Sequence, residues 1–269
     1  MVRVRLRYAG IAAVLIASSA LTADGRQGFG RFGHVEPPVH NLPYDGRFAF
    51  ARLKYVTAPG GYGYCGLPGW AHGYISCRGG QRAETSLMKI LNEISYLKPR
   101  IEEGVVLTLD DPELAHYPIA YMTEAGLWTL NNAEAAAFRA YLLKGGFAIF
   151  DDFRDPPGAM GAWNNFEANM RRVIPGAQFV ELTPPHPIFD SFFRIETLDI
   201  IPQSYDLGRP VIRGLFENND RRKRLMAVVN YNTDISDFWE FSATGFRPVD
   251  ESNEAYKIGV NYIMYGMTH

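Results

Sequence analysis

The chain has 269 residues, a hydrophobic fraction of 47% and a formal net charge of −2. This length favours one α/β domain with insertions over two compact domains, and the apolar fraction is sufficient for a large core. The near-neutral charge excludes the basic surface that polyanion recognition requires, so we expect no nucleic-acid partner.

The N-terminus has the pattern of an export signal. Arginines alternate along the first seven residues, and the apolar run 9–20 follows them. This pattern predicts a signal peptide over residues 1–23, cleaved after Ala20 or Ala23. The alternative is an uncleaved anchor, although the run is shorter than the roughly 20 residues of a spanning helix. Both alternatives predict an exported protein that is periplasmic or membrane-tethered.

The two cysteines, Cys65 and Cys77, lie in one glycine-rich loop. In an oxidising compartment such a pair predicts a disulfide. Closing so short a loop would stabilise the fold by about 3 kcal/mol. A pair of free thiols and a metal site with His72 are the alternatives.

The first predicted structural segments follow the signal. Residues 24–46 are rich in Gly, Pro and His without periodicity, which predicts a flexible lead-in. Residues 47–269 form the predicted single domain, and 48–55 is its first strand. The loop insertion 57–80 carries four aromatic residues among its glycines. Two interpretations stay open for it: a flap packed on the core, or an aromatic lid that stacks a sugar or another flat ligand.

The centre of the chain predicts a βαβ unit. Residues 117–122 form an apolar strand, 131–144 an amphipathic helix and 147–150 the next apolar strand. Gly145 and Gly146 end the helix. A strand, a helix and a second strand in so few residues favour a right-handed parallel crossover.

Further elements are predicted on both sides of this unit. Helical spacing covers 85–97, 163–173 and 251–267, and apolar strands cover 105–109, 179–182 and 225–232. Residues 194–219 predict only short extended pieces and turns. The order of strands and helices favours an α/β three-layer sandwich with a mostly parallel sheet.

Acidic residues follow several predicted strands. Asp110 and Asp111 follow one strand, Glu124 follows the next, and Asp151 and Asp152 follow a third. Ligands of parallel sheets bind outside the carboxyl ends of the strands, so these carboxylates predict a site. Such groups suit a divalent ion, or acid–base chemistry through a raised pKa. The alternative is that each Asp caps a helix or stabilises a turn.

Two further residues complete the candidate site. His186 lies between prolines, and this stiff backbone suits a positioned ligand or base. Asn230 ends a predicted strand, where an amide can bind a polar ligand. The alternatives are a histidine bonded to backbone and ordinary turn chemistry. Asp152 and His186 are the catalytic candidates, and a divalent metal is a conceivable cofactor without assigned ligands. The predicted ligand-binding residues are Asp111, Glu124, Asp151, Asp152, His186 and Asn230.

Several segments resemble a bacterial family catalogued as domain-of-unknown-function family 4159. The segments that carry the resemblance are 110–114, 117–123, 142–147, 151–153, 186–189 and 259–268. The resemblance covers roughly residues 48–269 and implies a flavodoxin-like sandwich similar to class I glutamine amidotransferases. It implies no established reaction. Amidotransferase chemistry needs a cysteine on a tight elbow, whereas residues 123–126 contain none, so we do not expect glutamine hydrolysis.

The resulting functional hypothesis is a periplasmic module of the cell envelope that binds a ligand or acts as a scaffold. The alternative is a hydrolase-like enzyme of envelope or carbohydrate substrates that uses a carboxylate with His186, with or without a divalent metal. A third hypothesis is a subunit of a membrane-associated envelope complex, tethered by the lead-in. A small molecule or a glycan fits the predicted site.

Overall fold

The computed structural model describes residues 36–59, 61, 66–75, 82–102, 104–155, 161–199 and 209–269. The predicted signal peptide, Cys65 and Cys77 lie outside these residues. Export and the disulfide therefore stay predictions. Among the described residues, no helix combines the length and the apolar character that crossing a membrane requires.

A sheet of seven strands forms the centre of the described chain. In chain order the strands are β1 (Ala51–Lys54), β2 (Val56–Thr57), β3 (Val105–Thr108), β4 (Ile119–Thr123), β5 (Trp128–Thr129), β6 (Phe147–Phe153), β7 (Phe179–Glu181), β8 (Val211–Phe216) and β9 (Leu225–Tyr231). The order across the main sheet is β3-β1-β4-β6-β9-β8-β7, and β2 pairs separately with β5. The first five strands of that order run parallel, whereas β8 is antiparallel to β9 and β7 to β8.

Helices cover both faces of this sheet. They are α1 (Ala83–Ile94), α2 (Asn132–Leu143), α3 (Ala162–Val173), α4 (Ile235–Glu240) and α5 (Val249–Thr268). One apolar cluster joins α2 and α3 to one face of the sheet, and a second joins α1, α4 and α5 to the other. The predicted mixed α/β architecture with a mostly parallel sheet is therefore confirmed, and the helices on both faces are compatible with a three-layer sandwich.

The βαβ unit of β4, α2 and β6 has the predicted parallel pairing, from Ile119 beside Phe147 to Thr123 beside Asp151. Successive side chains of β4 alternate between the two clusters: Tyr121 packs with α1, α4 and α5, and Met122 with α2 and α3. Both faces of the strand are thus buried, which is why its sequence is apolar throughout.

Among the strands and helices of six or more residues, two were not predicted from the sequence. The strand β8 lies in the segment for which we predicted only short extended pieces and turns, because Arg213 and Gly214 interrupt its apolar pattern. The helix α4 has only six residues, too few for helical spacing to appear in the sequence.

The described part of the lead-in is anchored to the sheet, although its composition predicts flexibility. The Asn41 side chain donates to the Val106 carbonyl at 2.7 Å and accepts from the Val106 amide at 2.9 Å. Arg100, which is buried, donates to the Pro43 carbonyl at 2.7 Å. These contacts place residues 41–43 along β3, the edge strand.

Candidate functional site

Three neighbouring strands deliver acidic residues to the same edge of the sheet. Glu124 follows β4, Asp152 belongs to the last part of β6, and Asp234 follows β9. Because these strands are parallel neighbours, their carboxyl ends lie side by side. The structure thus brings Glu124, Asp151 and Asp152 to one edge, as the sequence predicts, and adds Asp234.

Asp152 lies at the centre of the cluster and contacts a histidine from the loop insertion. Its side chain is fully buried, and its Oδ2 lies 2.5 Å from Nδ1 of His72. Its Oδ1 accepts a hydrogen bond from Arg154 at 3.1 Å. The backbone of Asp152 is left-handed, with φ of +54°, and the register between β6 and β9 shifts between Phe150 and Phe153. This local distortion gives Asp151 and Asp152 different sets of partners.

Glu124 and two further aspartates surround the same imidazole. Glu124 Oε1 lies 3.7 Å from His72 Nδ1. One ligand atom from each of His72, Glu124 and Asp152 lies within 4.8 Å of the others, and His72, Asp234 and Asp237 form a second group of this kind. The imidazole of His72 is therefore shared by two groups, each of which contains two carboxylates.

The buried residue Arg52 of β1 determines where His72 lies. Its Nη1 donates to the carbonyls of Trp70 at 2.9 Å and of His72 at 2.6 Å. Its Nε forms a buried ion pair with Glu84 of α1. The loop that carries His72 is therefore fixed to the interior of the sheet on both sides of Ala71.

The described part of the loop insertion packs on the core. Trp70 and Tyr74 are 1% and 3% exposed, and both belong to the apolar cluster shared with α2 and α3. This part agrees with the packed flap rather than the aromatic lid. Tyr62 and Tyr64 lie outside the described residues.

Asp151 and Asn230 form a buried hydrogen-bond network below the edge. Asp151 accepts from the Tyr121 hydroxyl at 3.1 Å, from the Asn230 amide at 3.1 Å and from the Ser236 backbone at 3.0 Å. Asn230 accepts from the Tyr262 hydroxyl at 2.8 Å. The network joins β4, β6, β9, α4 and α5, and both residues are at most 1% exposed. Their hydrogen bonds hold together the strands and helices that form this edge.

Burial and the proximity of other acids raise the pKa values of the carboxyl groups at this edge. Burial, and then the charge of Asp152, raises the pKa of Glu124 to about 8. Burial, and then neighbouring acids, raises the pKa of Asp151 to about 8 and the pKa values of Asp234 and Asp237 to about 6. The cluster therefore holds protons that isolated carboxyls would release near pH 4.

The pKa of His72 shifts in the opposite direction to that of an isolated buried histidine. Burial lowers its pKa, but the charge of Asp152 and the hydrogen bond to it more than offset this effect. The pKa of His72 therefore lies well above its ordinary value. The side chain is 41% exposed, so the imidazole is accessible from solvent.

Asp111 and His186 lie apart from the cluster. Asp111 accepts from the Glu113 backbone at 2.9 Å and begins a 3-10 turn over Pro112–His116, which agrees with the capping alternative. His186 accepts from the Ile188 backbone at 3.3 Å and contacts the rings of Phe216 and Tyr265. Burial, and then the charge of Arg221, lowers the pKa of His186.

The prediction that His186 lies beside the carboxylates is wrong. Phe216 pairs with Leu225 at the start of β9, because β8 runs antiparallel to it. His186 therefore lies near the amino ends of the parallel strands, at the edge opposite to Glu124 and Asp152. His72 supplies the imidazole instead.

Sequence reasoning did not place His72, Asp234 or Asp237 at this edge, and it named His72 only as a ligand of an alternative metal site with the two cysteines. Asp234 follows a predicted strand closely, so the rule that identified Glu124 and Asp152 also applied to it. His72 had no comparable local signal, because its position depends on the carbonyl contacts of Arg52, 20 residues away. Asp237 depends in the same way on the unpredicted helix α4.

The fold and the site together define a mixed α/β protein with a partly buried acid–imidazole cluster at the carboxyl edge of a mostly parallel sheet. The model of the family described as Domain of unknown function (DUF4159) matches residues 72–267, and the chain belongs to this family. The match includes all five residues of the two groups around His72. No curated protein sequence matches the chain.

Proposed function

We propose that this chain is an exported module of the cell envelope that binds a small polar ligand at the carboxyl edge of its sheet. The observation that carries the proposal is the gathering of Glu124, Asp152, Asp234 and Asp237 around His72, whose side chain is 41% exposed. The ligand class that this arrangement favours is a cation or a donor of several hydrogen bonds.

The energetics of the cluster support a binding role. Placing like charges together in a buried position costs free energy, and proteins tolerate such groups mainly at functional sites. Arg154 forms an ion pair with Asp152, and Arg247 forms one with Asp237. Within the described part of the chain, the ion pair of Glu124 is with the His72 imidazole, at 3.7 Å. A bound cation would compensate the negative charge that these carboxylates carry once they release their protons.

The topology supports a flavodoxin-like core. Numbered along the chain, the five parallel strands β1, β3, β4, β6 and β9 follow the order 2-1-3-4-5, for which ligands bind where the strand order reverses. That point lies between β1 and β4, where the Tyr55 hydroxyl donates to the carbonyls of Thr123 and Glu124 at 3.0 and 2.9 Å.

The same turn supports a resemblance to class I glutamine amidotransferases without their chemistry. Glu124 has a left-handed backbone, with φ of +50°, directly after β4. It occupies the turn where glutamine hydrolysis would require a cysteine. A binding module on an amidotransferase-like core explains the turn and the missing nucleophile together. The N-terminal pattern of arginines and apolar residues supports export.

The variant Glu124→Gln tests whether the cluster is retained for a ligand. At pH 8.5, removing this buried charge should raise the midpoint of thermal unfolding, because the repulsion from Asp152 disappears. Glu84→Gln is the matched control: the same change in the buried pair with Arg52 should lower the midpoint. If Glu124→Gln destabilises the protein as Glu84→Gln does, Glu124 is a structural ion-pair partner and the binding proposal fails.

A second candidate is a hydrolase-like enzyme, for which one contact gives specific support. The His72–Asp152 pair lies beside Glu124, whose pKa of about 8 suits proton transfer near neutral pH. In this version His72 takes the role that the sequence predicted for His186. Hydrolysis of envelope glycans or esters that His72→Ala abolishes and His186→Ala preserves would favour the enzyme over the binding module.

A further inference from the structure

We propose that His72, Glu124 and Asp152 bind one divalent metal ion. The assignment deepens the proposed function and rests on it, because it identifies the polar ligand of the same edge as a cation. It names three ligands, one imidazole nitrogen and two carboxylate oxygens, from three separate segments of the chain.

The three ligand atoms are close enough together to reach one ion once the 2.5 Å hydrogen bond between His72 Nδ1 and Asp152 Oδ2 opens, because two ligands of one ion do not approach so closely. Ligands on opposite sides of an ion, each at about 2.1–2.4 Å from it, are about 4.2–4.8 Å apart. The chosen atoms of His72, Glu124 and Asp152 all lie within 4.8 Å of one another. An ion can therefore bind between them through side-chain rotations, without a change in the sheet.

The ligands also have the supporting contacts that metal sites use. The second oxygen of Asp152 is held by Arg154 at 3.1 Å, and the His72 backbone is held by Arg52 at 2.6 Å. The Tyr55 hydroxyl holds the Glu124 carbonyl at 2.9 Å. Such outer contacts orient the ligands and account for much of the affinity of a metal site.

An independent observation at this edge is a pair of buried hydroxyls next to two of the acidic residues. The hydroxyls of Thr123 and Thr233 are buried and find no hydrogen-bond partner in the described part of the chain. These residues are 0% and 3% exposed, and they directly precede Glu124 and Asp234. Buried hydroxyls without partners are uncommon, and the water shell of a bound ion would supply partners.

Asp234 and Asp237 belong to the surroundings of the ion. Asp234 accepts from the Ser236 hydroxyl at 2.8 Å and from the Asp237 backbone at 2.9 Å, and Asp237 pairs with Arg247. These contacts occupy one oxygen of each carboxylate, and we assign both residues to attracting the cation. We expect one ion per chain, because both groups of carboxylates share the imidazole of His72. One nitrogen and two carboxylate oxygens favour Mn²⁺ or Zn²⁺ over Ca²⁺, which prefers an all-oxygen shell.

Calorimetric titration of the untagged, chelator-treated chain with Mn²⁺ and Zn²⁺ tests the assignment. We expect one ion per chain, and a loss of affinity of at least about 10-fold in both His72→Ala and Asp152→Asn. His116→Ala and His186→Ala are the matched controls, because these histidines lie outside the cluster. Both controls should bind like the unchanged protein. Should His72→Ala fail to fold, His72→Gln replaces it, with circular dichroism as the check.

The outcomes separate this assignment from the proposed function. Absence of binding by the unchanged protein, with Glu124→Gln still stabilising, overturns the metal assignment and leaves a different polar ligand. Binding that survives in His72→Ala and Asp152→Asn also overturns it, because the ion then lies elsewhere. Destabilisation by Glu124→Gln overturns the proposed function itself.

Discussion

Arg52 connects the interior of the sheet to the candidate site. It is 1% exposed, pairs with Glu84 of α1, and holds the carbonyls on both sides of Ala71. A guanidinium can do this because its donors form a planar fork, whereas a lysine offers a single charged nitrogen. The buried side chain of Arg52 therefore helps to fix the position of His72.

Replacing this residue should be far more costly than replacing an exposed arginine. Arg52→Met leaves Glu84 buried without its partner, and we expect a loss of about 3–5 kcal/mol in the free energy of unfolding. Urea denaturation measures it. Arg47→Met is the control, since the Arg47–Asp45 pair is exposed and should contribute at most about 1 kcal/mol. Equal effects of the two variants would contradict the anchoring role of Arg52.

For single residues, the sequence predicted which acidic residues follow strands. It did not predict which of them would cap a turn and which would join the cluster around His72. Asp111 and Glu124 both follow strands, yet Asp111 caps a turn while Glu124 lies beside His72. What separates them is location across the sheet: β3 is an edge strand, and β4 lies beside the strand-order reversal. That location depends on long-range pairing, which no local pattern contains.

Among the elements, α2 shows how local signals determine a boundary. Asn131 accepts from the Glu134 backbone at 3.0 Å, and Glu134 accepts from the Asn131 backbone at 2.6 Å. This reciprocal capping box satisfies two backbone donors at the start of the helix. The helix, its cap and the following strand were predictable because each depends on neighbouring residues. The helix α4 and the strand β8 were not, because their formation depends on packing.

The cap can be tested with two adjacent asparagines. Asn131→Ala removes the box and should lower the free energy of unfolding by about 1 kcal/mol. Asn132→Ala should change it by only a few tenths of a kcal/mol, because its side chain makes an exposed contact with Arg172 and alanine favours the helix. Thermal unfolding of both variants measures the difference. A loss in Asn132→Ala equal to that in Asn131→Ala would show that the box does not determine this boundary.

For the whole molecule, charge is distributed unevenly although the total is only −2. The fold gathers acidic residues at the carboxyl edge of the sheet. His186 lies near the opposite edge, and its pKa is lowered. The order of elements could predict a mixed α/β fold with a mostly parallel sheet, and the composition could predict a large core. Neither could show which acids face one another, because this requires the strand order and the left-handed backbone of Glu124 and Asp152.

This concentration of acids predicts an unusual dependence of stability on pH. The folded pKa is about 8 for Glu124 and Asp151 and about 6 for Asp234 and Asp237, whereas unfolded carboxyls titrate near 4. Between these values the folded protein binds more protons than the unfolded chain, so its stability falls as pH rises. His72, with its raised pKa, acts in the same direction above about pH 6.5.

We therefore expect the metal-free protein to lose on the order of 3 kcal/mol between pH 5.5 and 8.5, since one pKa unit corresponds to about 1.4 kcal/mol and the coupled acids do not add fully. Urea denaturation at several pH values in the presence of a chelator measures this slope. Glu124→Gln should reduce the slope, with its gain over the unchanged protein largest at pH 8.5 and absent near pH 4. A stability that is constant or rises over this range would show that the acids are compensated by contacts within the chain, and a cation would then have no excess charge to neutralise.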